Sequence, residues 1–315
     1  SRRVAKTRRR VSPGAWVWLL VAGLALFELV AQARISAAVP TERSWEEASA
    51  FVRARFEEGD RIVASPGWID PIVRSRLGDL LDLRAAAPSD LAGTRRVWEL
   101  SIRGASRRDG ESELEQAFGR VKVRMWPVAG DALVYDFVEE VPQATVELGV
   151  AGQSRACPLE IARPAPGGLF RGPMTPSERF ICDPKRPWLW VGPTVIADLE
   201  LGPRRCVWQH PAGESPVRVT FSEVPLGDRL SVRGGIDYSN ERWRRGAPVT
   251  LRVWIDGELA AELVHHDGDG WSGTEIDTSG FGAQRATVRF ETTAPDSTAR
   301  LFCWAASTRR GPADD

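Results

Sequence analysis

The sequence predicts an α+β protein of several domains: a single N-terminal transmembrane helix, then an α/β domain, then an antiparallel, jelly-roll-like β-sandwich. Three observations lead to this fold class. Residues 14–33 are almost entirely apolar, residues 41–105 alternate between helix and strand patterns, and residues 203–309 contain only short strand patterns separated by turns. The part that follows the apolar run is too long for one typical core and long enough for two domains.

The transmembrane helix is predicted for residues 14–34 from length and composition. At about 1.5 Å per residue, the apolar run reaches roughly 30 Å, the thickness of the hydrocarbon core of a bilayer. Residues 1–13 form a basic tail with six Arg and Lys side chains and no acidic one. Because basic residues beside a first apolar helix stay in the cytoplasm, the N-terminus is expected inside and all later domains outside.

The expected location is the plasma (inner) membrane of a bacterium, with the C-terminal domains periplasmic or otherwise extracytoplasmic. Lys6, Lys122 and Lys185 are the only lysines among 42 basic residues, which is typical of a GC-rich bacterial genome. A cleaved signal peptide is the alternative, because residues 31–33 read Ala-Gln-Ala and loosely fit a cleavage site. The apolar run is long for a signal peptide, so a retained anchor is preferred.

Glu28 is the one acidic residue inside the predicted span. Counted from Gly14, it lies about 21 Å along the helix and therefore near the outer surface. There the carboxyl group can reach the headgroups or be protonated, which is the simpler interpretation. The alternative is a contact with the helix of a partner, because acidic residues inside a membrane often mark such contacts.

Charge argues against nucleic acid as a partner. The whole chain carries 42 basic and 42 acidic residues, so the part after the basic tail has 36 basic and 42 acidic ones. Binding to phosphate backbones needs a concentrated basic face, which a mildly acidic chain does not indicate.

The four cysteines all lie on the predicted outer side. An even number in an oxidising compartment favours disulfides, and no CxxC spacing indicates a zinc or redox motif. Three pairings are possible. The preferred one joins Cys157 to Cys182 across a local loop, and Cys206 to Cys303 between the first and last strands of the final domain.

Residues 41–148 are predicted to form the α/β domain. Ser44 and Glu47 form a capping box at the start of its first helix, and Asp70 followed by Pro71 starts the second. Helices alternating with strands predict a parallel sheet covered by helices. The predicted elements are a helix from 44 to 58, a strand over 61–65, a helix over 70–83, a strand over 96–102 and a short helix from 112.

Two runs in this domain resemble a known family. Residues 58–68, Glu-Gly-Asp-Arg-Ile-Val-Ala-Ser-Pro-Gly-Trp, and residues 96–100, Arg-Val-Trp-Glu-Leu, are similar to the soluble extracytoplasmic tail of polytopic bacterial glycosyltransferases of the protein-mannosyltransferase type. The resemblance covers about residues 41–105 and implies a detached tail domain. Those enzymes have many spans and an acidic catalytic residue in the first outer loop. Here the first acid after the single span, Glu42, lies in a tether, so no catalytic residue is carried over.

The remainder of the chain is predicted to be β structure. Residues 149–202 are rich in Gly, Pro and Arg and are expected to form an irregular connection, and residues 310–315 a tail. Within residues 203–309, six strand patterns and the hairpin signal Asp256-Gly257 predict a β-sandwich. This domain resembles the jelly-roll modules that bind carbohydrate.

The loop with His265, Asp267 and Asp269 contains the densest group of potential metal ligands in the sequence. Its Asp-x-Asp-Gly pattern supplies hard oxygens and a tight turn that suit a structural Ca²⁺ ion, and a histidine beside it suits zinc. The EF-hand pattern is not matched, and Asp-Gly pairs are ordinary turn formers. A solvated loop with no cofactor is the simpler interpretation.

Thirteen tryptophans are many for a chain of 315 residues. Five of them are flanked by apolar strand residues and are expected in the core: Trp188, Trp190, Trp208, Trp254 and Trp304.

Three other tryptophans, Trp271, Trp243 and Trp68, stand beside turn or charged residues and are expected to be exposed, where a ring can stack on a sugar. Trp271 is the first candidate, because glycines leave its loop uncrowded and two aspartates supply acceptors. Trp243, between Glu241-Arg242 and Arg244-Arg245, would suit an acidic sugar.

The sequence identifies no reaction, and no nucleophile elbow surrounds any serine. The favoured function is therefore non-catalytic: a single-pass, extracytoplasmic protein that binds glycan or serves as an accessory subunit of a membrane complex. One alternative is an enzyme of envelope glycan metabolism, which the family resemblance supports. Another is a purely structural subunit of a membrane assembly. The expected partners are the membrane, proteins of such a complex and glycan.

Overall fold

A computed structural model of the chain describes residues 13–37, 39–81, 86–87, 89–90, 93–106, 110–128, 131–150, 152–161, 163–167, 173–281 and 285–311. The predicted basic tail lies outside these residues apart from Pro13, and so do the last four residues of the chain. The helices are α1 (Pro13–Ala37), α2 (Glu42–Arg53), α3 (Asp70–Leu77) and the short α4 (Tyr238–Glu241).

Eighteen strands are described. The first nine are β1 (Asp60–Ser65), β2 (Arg96–Ile102), β3 (Leu114–Phe118), β4 (Val121–Pro127), β5 (Ala132–Asp136), β6 (Thr145–Val150), β7 (Gln153–Ala156), β8 (Leu159–Ile161) and β9 (Glu178–Ile181). The others are β10 (Trp190–Ala197), β11 (Pro203–Gln209), β12 (Val217–Pro225), β13 (Arg229–Ile236), β14 (Val249–Ile255), β15 (Glu258–His265), β16 (Ser272–Asp277), β17 (Arg285–Thr293) and β18 (Phe302–Arg310).

Helix α1 is 25 residues long and apolar on every side. From Trp16 to its end, all of its side chains except that of Ala31 are exposed, including that of Glu28. A helix that is apolar all round needs lipid or a protein core around it, and none of the other described residues covers this one. It is long and apolar enough to span a membrane or to be a signal sequence.

The first domain packs α2 and α3 against a four-stranded sheet in the order β1-β2-β4-β3. Only β1 and β2 run parallel, because β3 and β4 form an antiparallel hairpin beside β2. Helix α2 begins three residues earlier than the capping box predicts. Its N-cap is Thr41, whose hydroxyl accepts a hydrogen bond from the Ser44 amide at 3.2 Å.

The short helix predicted from residue 112 is wrong, because that stretch contains strand β3. Leu114 pairs with Met125 and Phe118 with Val121, so β3 extends the sheet through β4. The turn between them holds Gly119 at a φ of 58°, a conformation that glycine adopts without strain. Pairing across this tight turn outweighs the local signal for a helix cap.

The second domain is a sandwich of two antiparallel sheets, as the sequence predicts. One sheet has the order β16-β13-β18-β11-β10-β9-β8, with β5 also beside β18, and the other the order β15-β14-β17-β12-β6-β7. Their buried side chains form one core. Phe290 of β17 and Trp304 of β18 stack across it with ring centroids 4.0 Å apart, and Trp304 donates to the Gln209 side chain at 2.6 Å.

The expected division at residue 203 differs from the sheet topology. Strands β5 to β10 all precede residue 203, and each belongs to one of the two sheets. Residues 149–202, expected to be irregular, therefore supply four strands. Strand β6 pairs with β12, for example Thr145 with Thr220. Pairing at such a separation is not visible in local sequence patterns.

Both disulfides lie in this sandwich. Cys157, after β7, is bonded to Cys182, after β9, and Cys206 of β11 is bonded to Cys303 of the adjacent β18. These are the two pairs preferred from the sequence. All four sulfurs are buried with the core.

Candidate functional site

The tryptophans expected in the core divide into two groups. Trp190, Trp208 and Trp304 are buried. Trp188 is 49% exposed, and its backbone carbonyl accepts from the Trp208 indole at 3.1 Å. Trp254 is half-buried, with the Arg289 guanidinium 4.8 Å from its ring centroid. The expectation is therefore wrong for Trp188 and only partly met for Trp254.

Trp271 is half-buried rather than open to solvent. Its ring packs against the sandwich core, and its indole N–H donates to the Ser89 carbonyl at 2.7 Å. Ser89 belongs to the connection between α3 and β2, so this bond joins the two domains. The partner lies 182 residues away in sequence, which is why the uncrowded loop of Trp271 wrongly suggests an exposed ring.

The same connection is fixed to the sandwich at two further points. The Ala87 carbonyl accepts from the Arg205 amide at 2.7 Å, and Asp90 forms an ion pair with Arg309. Arg74 of α3 in turn donates to the Ala86 carbonyl. Residues 86, 87, 89 and 90 thus fasten the first domain to the eight-stranded sheet.

The three suggested metal ligands face different partners. His265 Nε2 donates to Glu241 Oε1 at 3.2 Å, the Asp267 carboxylate accepts from Arg300 at 2.6 Å, and that of Asp269 accepts from the His266 amide at 2.8 Å. Burial alone would raise the pKa of Asp267, but the hydrogen bonds from Arg300 and from backbone amides hold it below its usual range. The described residues contain no group of three or more His, Cys, Asp or Glu side chains placed to hold a metal.

Trp68 is the candidate that lies beside a cavity. It stands on a single 3₁₀ turn, Gly67–Ile69, between β1 and α3, and its side chain is 55% exposed. The Arg103 guanidinium lies 5.6 Å from the ring centroid. Ile69, the next residue, is fully buried in the core of the first domain, so the turn is fixed where it presents the indole.

The cavity beside Trp68 is a cleft between the two domains. Its volume is about 640 Å³, within the usual range for small-ligand sites. A smaller hollow of about 230 Å³ adjoins it and shares four of its lining residues. The walls of the larger one are mostly apolar and include Trp68, Pro71, Met174, Val195 and Leu201.

Two carboxylates, Asp70 and Asp237, also line the cleft. Asp70 forms an ion pair with Arg74 one turn further along α3, and Asp237 Oδ1 accepts from the Ser239 amide at 3.0 Å as the cap of α4. At the smaller hollow, Arg204 donates to Asp198 at 2.7 Å. An aromatic face, apolar walls and held carboxylate acceptors can bind a molecule that has both C–H faces and hydroxyl groups.

Sequence reasoning finds Trp68 but misses the rest of the cleft. Asp70 carries a local signal as a helix start, whereas Asp237 and the turn around Leu201 carry none that points to a shared site. These residues meet only because the first domain docks on the sandwich. Trp243, the remaining candidate, lies just after the C-terminus of α4, whereas Asp237 caps its N-terminus. Trp243 is 60% exposed.

No protein-family model and no curated protein sequence matches this chain. Solved structures similar to parts of it include the CBM51 module of Clostridium perfringens GH95 in complex with methyl-galactose. That match has 11% identity and a TM-score of 0.28 and covers 37% of this chain and 81% of the module.

Two further matches are the CBM51-2 and INT domains of Clostridium perfringens ZmpB and the secreted serine protease VesC of Vibrio cholerae. The first has 12% identity and a TM-score of 0.30 and covers 64% of this chain but 35% of its own. The second has 12% identity and a TM-score of 0.26 and covers 67% of this chain and 42% of its own. TM-scores this far below 0.5 do not establish a shared fold.

Proposed function

We propose that this chain is a membrane-anchored extracytoplasmic protein that binds glycan in the cleft beside Trp68 and catalyses no reaction. The observation that carries the proposal is the half-exposed indole of Trp68 at the mouth of the cleft of about 640 Å³. A sugar ring presents C–H groups that pack on an indole face, and its hydroxyls need acceptors such as Asp70 and Asp237.

The anchoring part of the proposal is supported by α1 and by the six basic residues that precede it. An N-terminus inside the cytoplasm follows from the distribution of these charges. Glu28, exposed on α1, is the position at which a partner helix would form a contact within the membrane. The protein would then serve as an accessory subunit that holds glycan beside a membrane complex.

The non-catalytic part is supported by the charged groups of the cleft. A general acid or base must be able to exchange a proton with its substrate. Asp70 is paired with Arg74, and Asp237 Oδ1 accepts from the Ser239 amide at 3.0 Å. Such pairing favours fixed carboxylates that accept hydrogen bonds.

The test is a glycan array probed with the full chain in lipid nanodiscs, followed by titration of the best ligand. Trp68→Ala is expected to weaken binding by about tenfold or more, which is the effect of losing one stacked aromatic anchor. Its melting temperature is expected to stay within about 2 °C of the parent, since exposed side chains contribute little to stability.

Trp188→Ala is the matched control, because Trp188 is similarly exposed and its ring lies outside the cleft. This control is expected to bind as the parent does. An array without ligands, or equal losses in the two variants, would refute the cleft as a glycan site.

A further inference from the structure

The turn formed by residues 242–245, here called the Trp243 turn, is a basic and aromatic surface, and none of its residues lines the cleft. Trp243 is 60% exposed, and the next two residues, Arg244 and Arg245, are exposed as well. The Arg242 guanidinium lies 4.6 Å from the Trp243 ring centroid and 5.4 Å from that of Tyr238. Three cations and an open indole therefore share one short turn.

Glu241 precedes this turn in sequence but is turned away from its surface. Its side chain is fully buried, and its Oε1 atom accepts from the amides of Gly268 and Gly270 at 3.1 and 2.8 Å. His265 donates to the same atom. The carboxylate is thus occupied with the neighbouring loop and leaves the exposed part of the turn basic.

The other end of the turn is fixed by a second buried carboxylate. Asp267 Oδ2 accepts from the Gly246 amide at 2.8 Å, and Asp267 Oδ1 accepts from Arg300, whose side chain is 2% exposed. A Cβ atom on residue 246 would lie 1.7 Å from Arg300 Cζ, so only glycine fits there. The ends of the turn are therefore tied to the same loop by Glu241 and Asp267.

Burying two carboxylates and an arginine is unfavourable unless they are paired; here Asp267 is paired with Arg300, and Glu241 accepts three hydrogen bonds, all through Oε1. Here the pairs determine the position of an exposed turn, and Arg244 is held at a φ of 51°, in the left-handed region. A surface that is fixed before binding loses less entropy when a ligand arrives. A binding site needs a turn that is fixed in this way, whereas a solvated loop without a ligand does not need one.

From this geometry we infer that the Trp243 turn is a second binding site, for a carboxylated sugar of the uronic acid type. The pyranose ring packs on the open face of Trp243, and its carboxylate accepts from the guanidinium groups of Arg244 and Arg245, whose fork geometry matches a carboxylate. One exposed indole provides room for one sugar ring. A membrane surface would favour several exposed apolar side chains and a wider basic area.

The experiment measures binding of tetragalacturonate to the full chain in nanodiscs of zwitterionic lipid. Two further probes separate the contribution of ring stacking from that of charge pairing. The methyl ester of the same oligomer keeps the sugar rings and loses the charge, and polyglutamate keeps carboxylates and has no sugar rings. Tetragalacturonate is expected to bind at least about tenfold more tightly than either, because stacking and charge pairing act together.

Trp243→Ala and the double variant Arg244→Gln/Arg245→Gln are each expected to weaken tetragalacturonate binding by about tenfold or more. The control Arg120→Gln/Arg310→Gln removes the same charge at two other exposed arginines and is expected to bind like the parent. Neither variant of the turn changes a residue that lines the cleft, so both are expected to bind the ligand of the cleft as the parent does, and failure here and failure of the cleft proposal are distinguishable.

Three results would overturn the inference. One is equal binding of polyglutamate, which would indicate charge alone. Another is tighter binding to phosphatidylglycerol vesicles than to the oligomer, which would indicate a membrane contact. The last is undiminished binding by both variants of the turn while their melting temperatures match the parent.

Discussion

His210 is buried among aromatic and cationic neighbours in the sandwich. Burial, helped by the charges of Arg300 and Arg186, lowers its pKa from 6.5 to about 4, although the bond from Nδ1–H to the Pro211 carbonyl at 2.8 Å acts the other way. The unfolded chain therefore binds a proton between pH 6.5 and pH 4 that the folded protein does not. Stability is expected to fall as the pH decreases through this window, by about 3 kcal/mol from His210 alone.

Urea unfolding between pH 7 and pH 4 measures the slope of the free energy of unfolding against pH. The slope is expected to decrease in His210→Gln, whose side chain does not titrate, and to persist in His266→Gln, since His266 is exposed. Identical slopes in the parent and in His210→Gln would contradict the assignment.

Single residues also show what sequence patterns predict and where they fail. The Asp256-Gly257 turn depends on two adjacent residues, and it forms as predicted, with φ angles of 48° and 86° between β14 and β15. The environment of Trp271 depends on Ser89, and that of Asp267 on Arg300, which are distant in sequence. A side chain whose partner comes from elsewhere in the chain cannot be classified from its neighbours.

Strands β11 and β18 are neighbours in the eight-stranded sheet and are joined by Cys206–Cys303 across 97 residues. Cys157–Cys182 closes only 25 residues. By loop entropy, the long closure is expected to contribute about 4.7 kcal/mol and the short one about 3.5 kcal/mol to the free energy of unfolding. The long bridge should therefore stabilise the fold more.

The comparison uses two double variants, Cys206→Ala/Cys303→Ala and Cys157→Ala/Cys182→Ala. Both remove buried sulfur atoms, so the change in packing is matched. Chemical unfolding under oxidising conditions is expected to rank the first variant as the less stable. The reverse order would show that loop entropy does not dominate at these sites.

Elements with strong local signals are those that the sequence predicts best. The sequence identifies α1 from its unbroken apolar run, and β2 from residues that are buried on both faces. Strand β3 carries a helix-cap signal and polar residues, so only its pairing with β4 defines it. Three of the strands within residues 149–202 have only three or four residues, and two of these, β7 and β8, are exposed throughout, so their pattern is weak.

For the whole molecule, the proposed topology places both domains outside the cytoplasm. A phosphatase that is active only outside the cytoplasm, fused after Asp315, is expected to be active in bacteria that express the chain. A fluorescent protein that matures only in the cytoplasm is expected to stay dark at the same position, because six basic residues before a first apolar helix favour an N-terminus inside.

The control replaces these six basic residues with Gln, which removes the charge bias and is expected to give mixed orientation. Fluorescence without phosphatase activity in the parent would refute the proposed topology, and with it the extracytoplasmic site.

The candidate cleft is also a property of the whole molecule, since neither domain forms it alone. The first domain contributes Trp68 and Asp70, and the sandwich contributes Val195 and Leu201. Each half has its own local pattern, and the sequence contains no signal for their relative placement. The connection through Ala87, Ser89 and Asp90 supplies that placement by bonds to β11, Trp271 and β18.

The central position of β18 has a consequence for biosynthesis. This strand pairs with β5, β11 and β13, yet it is the last described strand to leave the ribosome. In the proposed topology, those three strands expose unpaired edges until residues 302–310 have crossed the membrane, and such edges are prone to aggregation. Sandwich assembly would then follow translocation of the whole domain. A chain tethered at its N-terminus would spend that interval at the membrane surface, where an extracytoplasmic chaperone could shield the open edges.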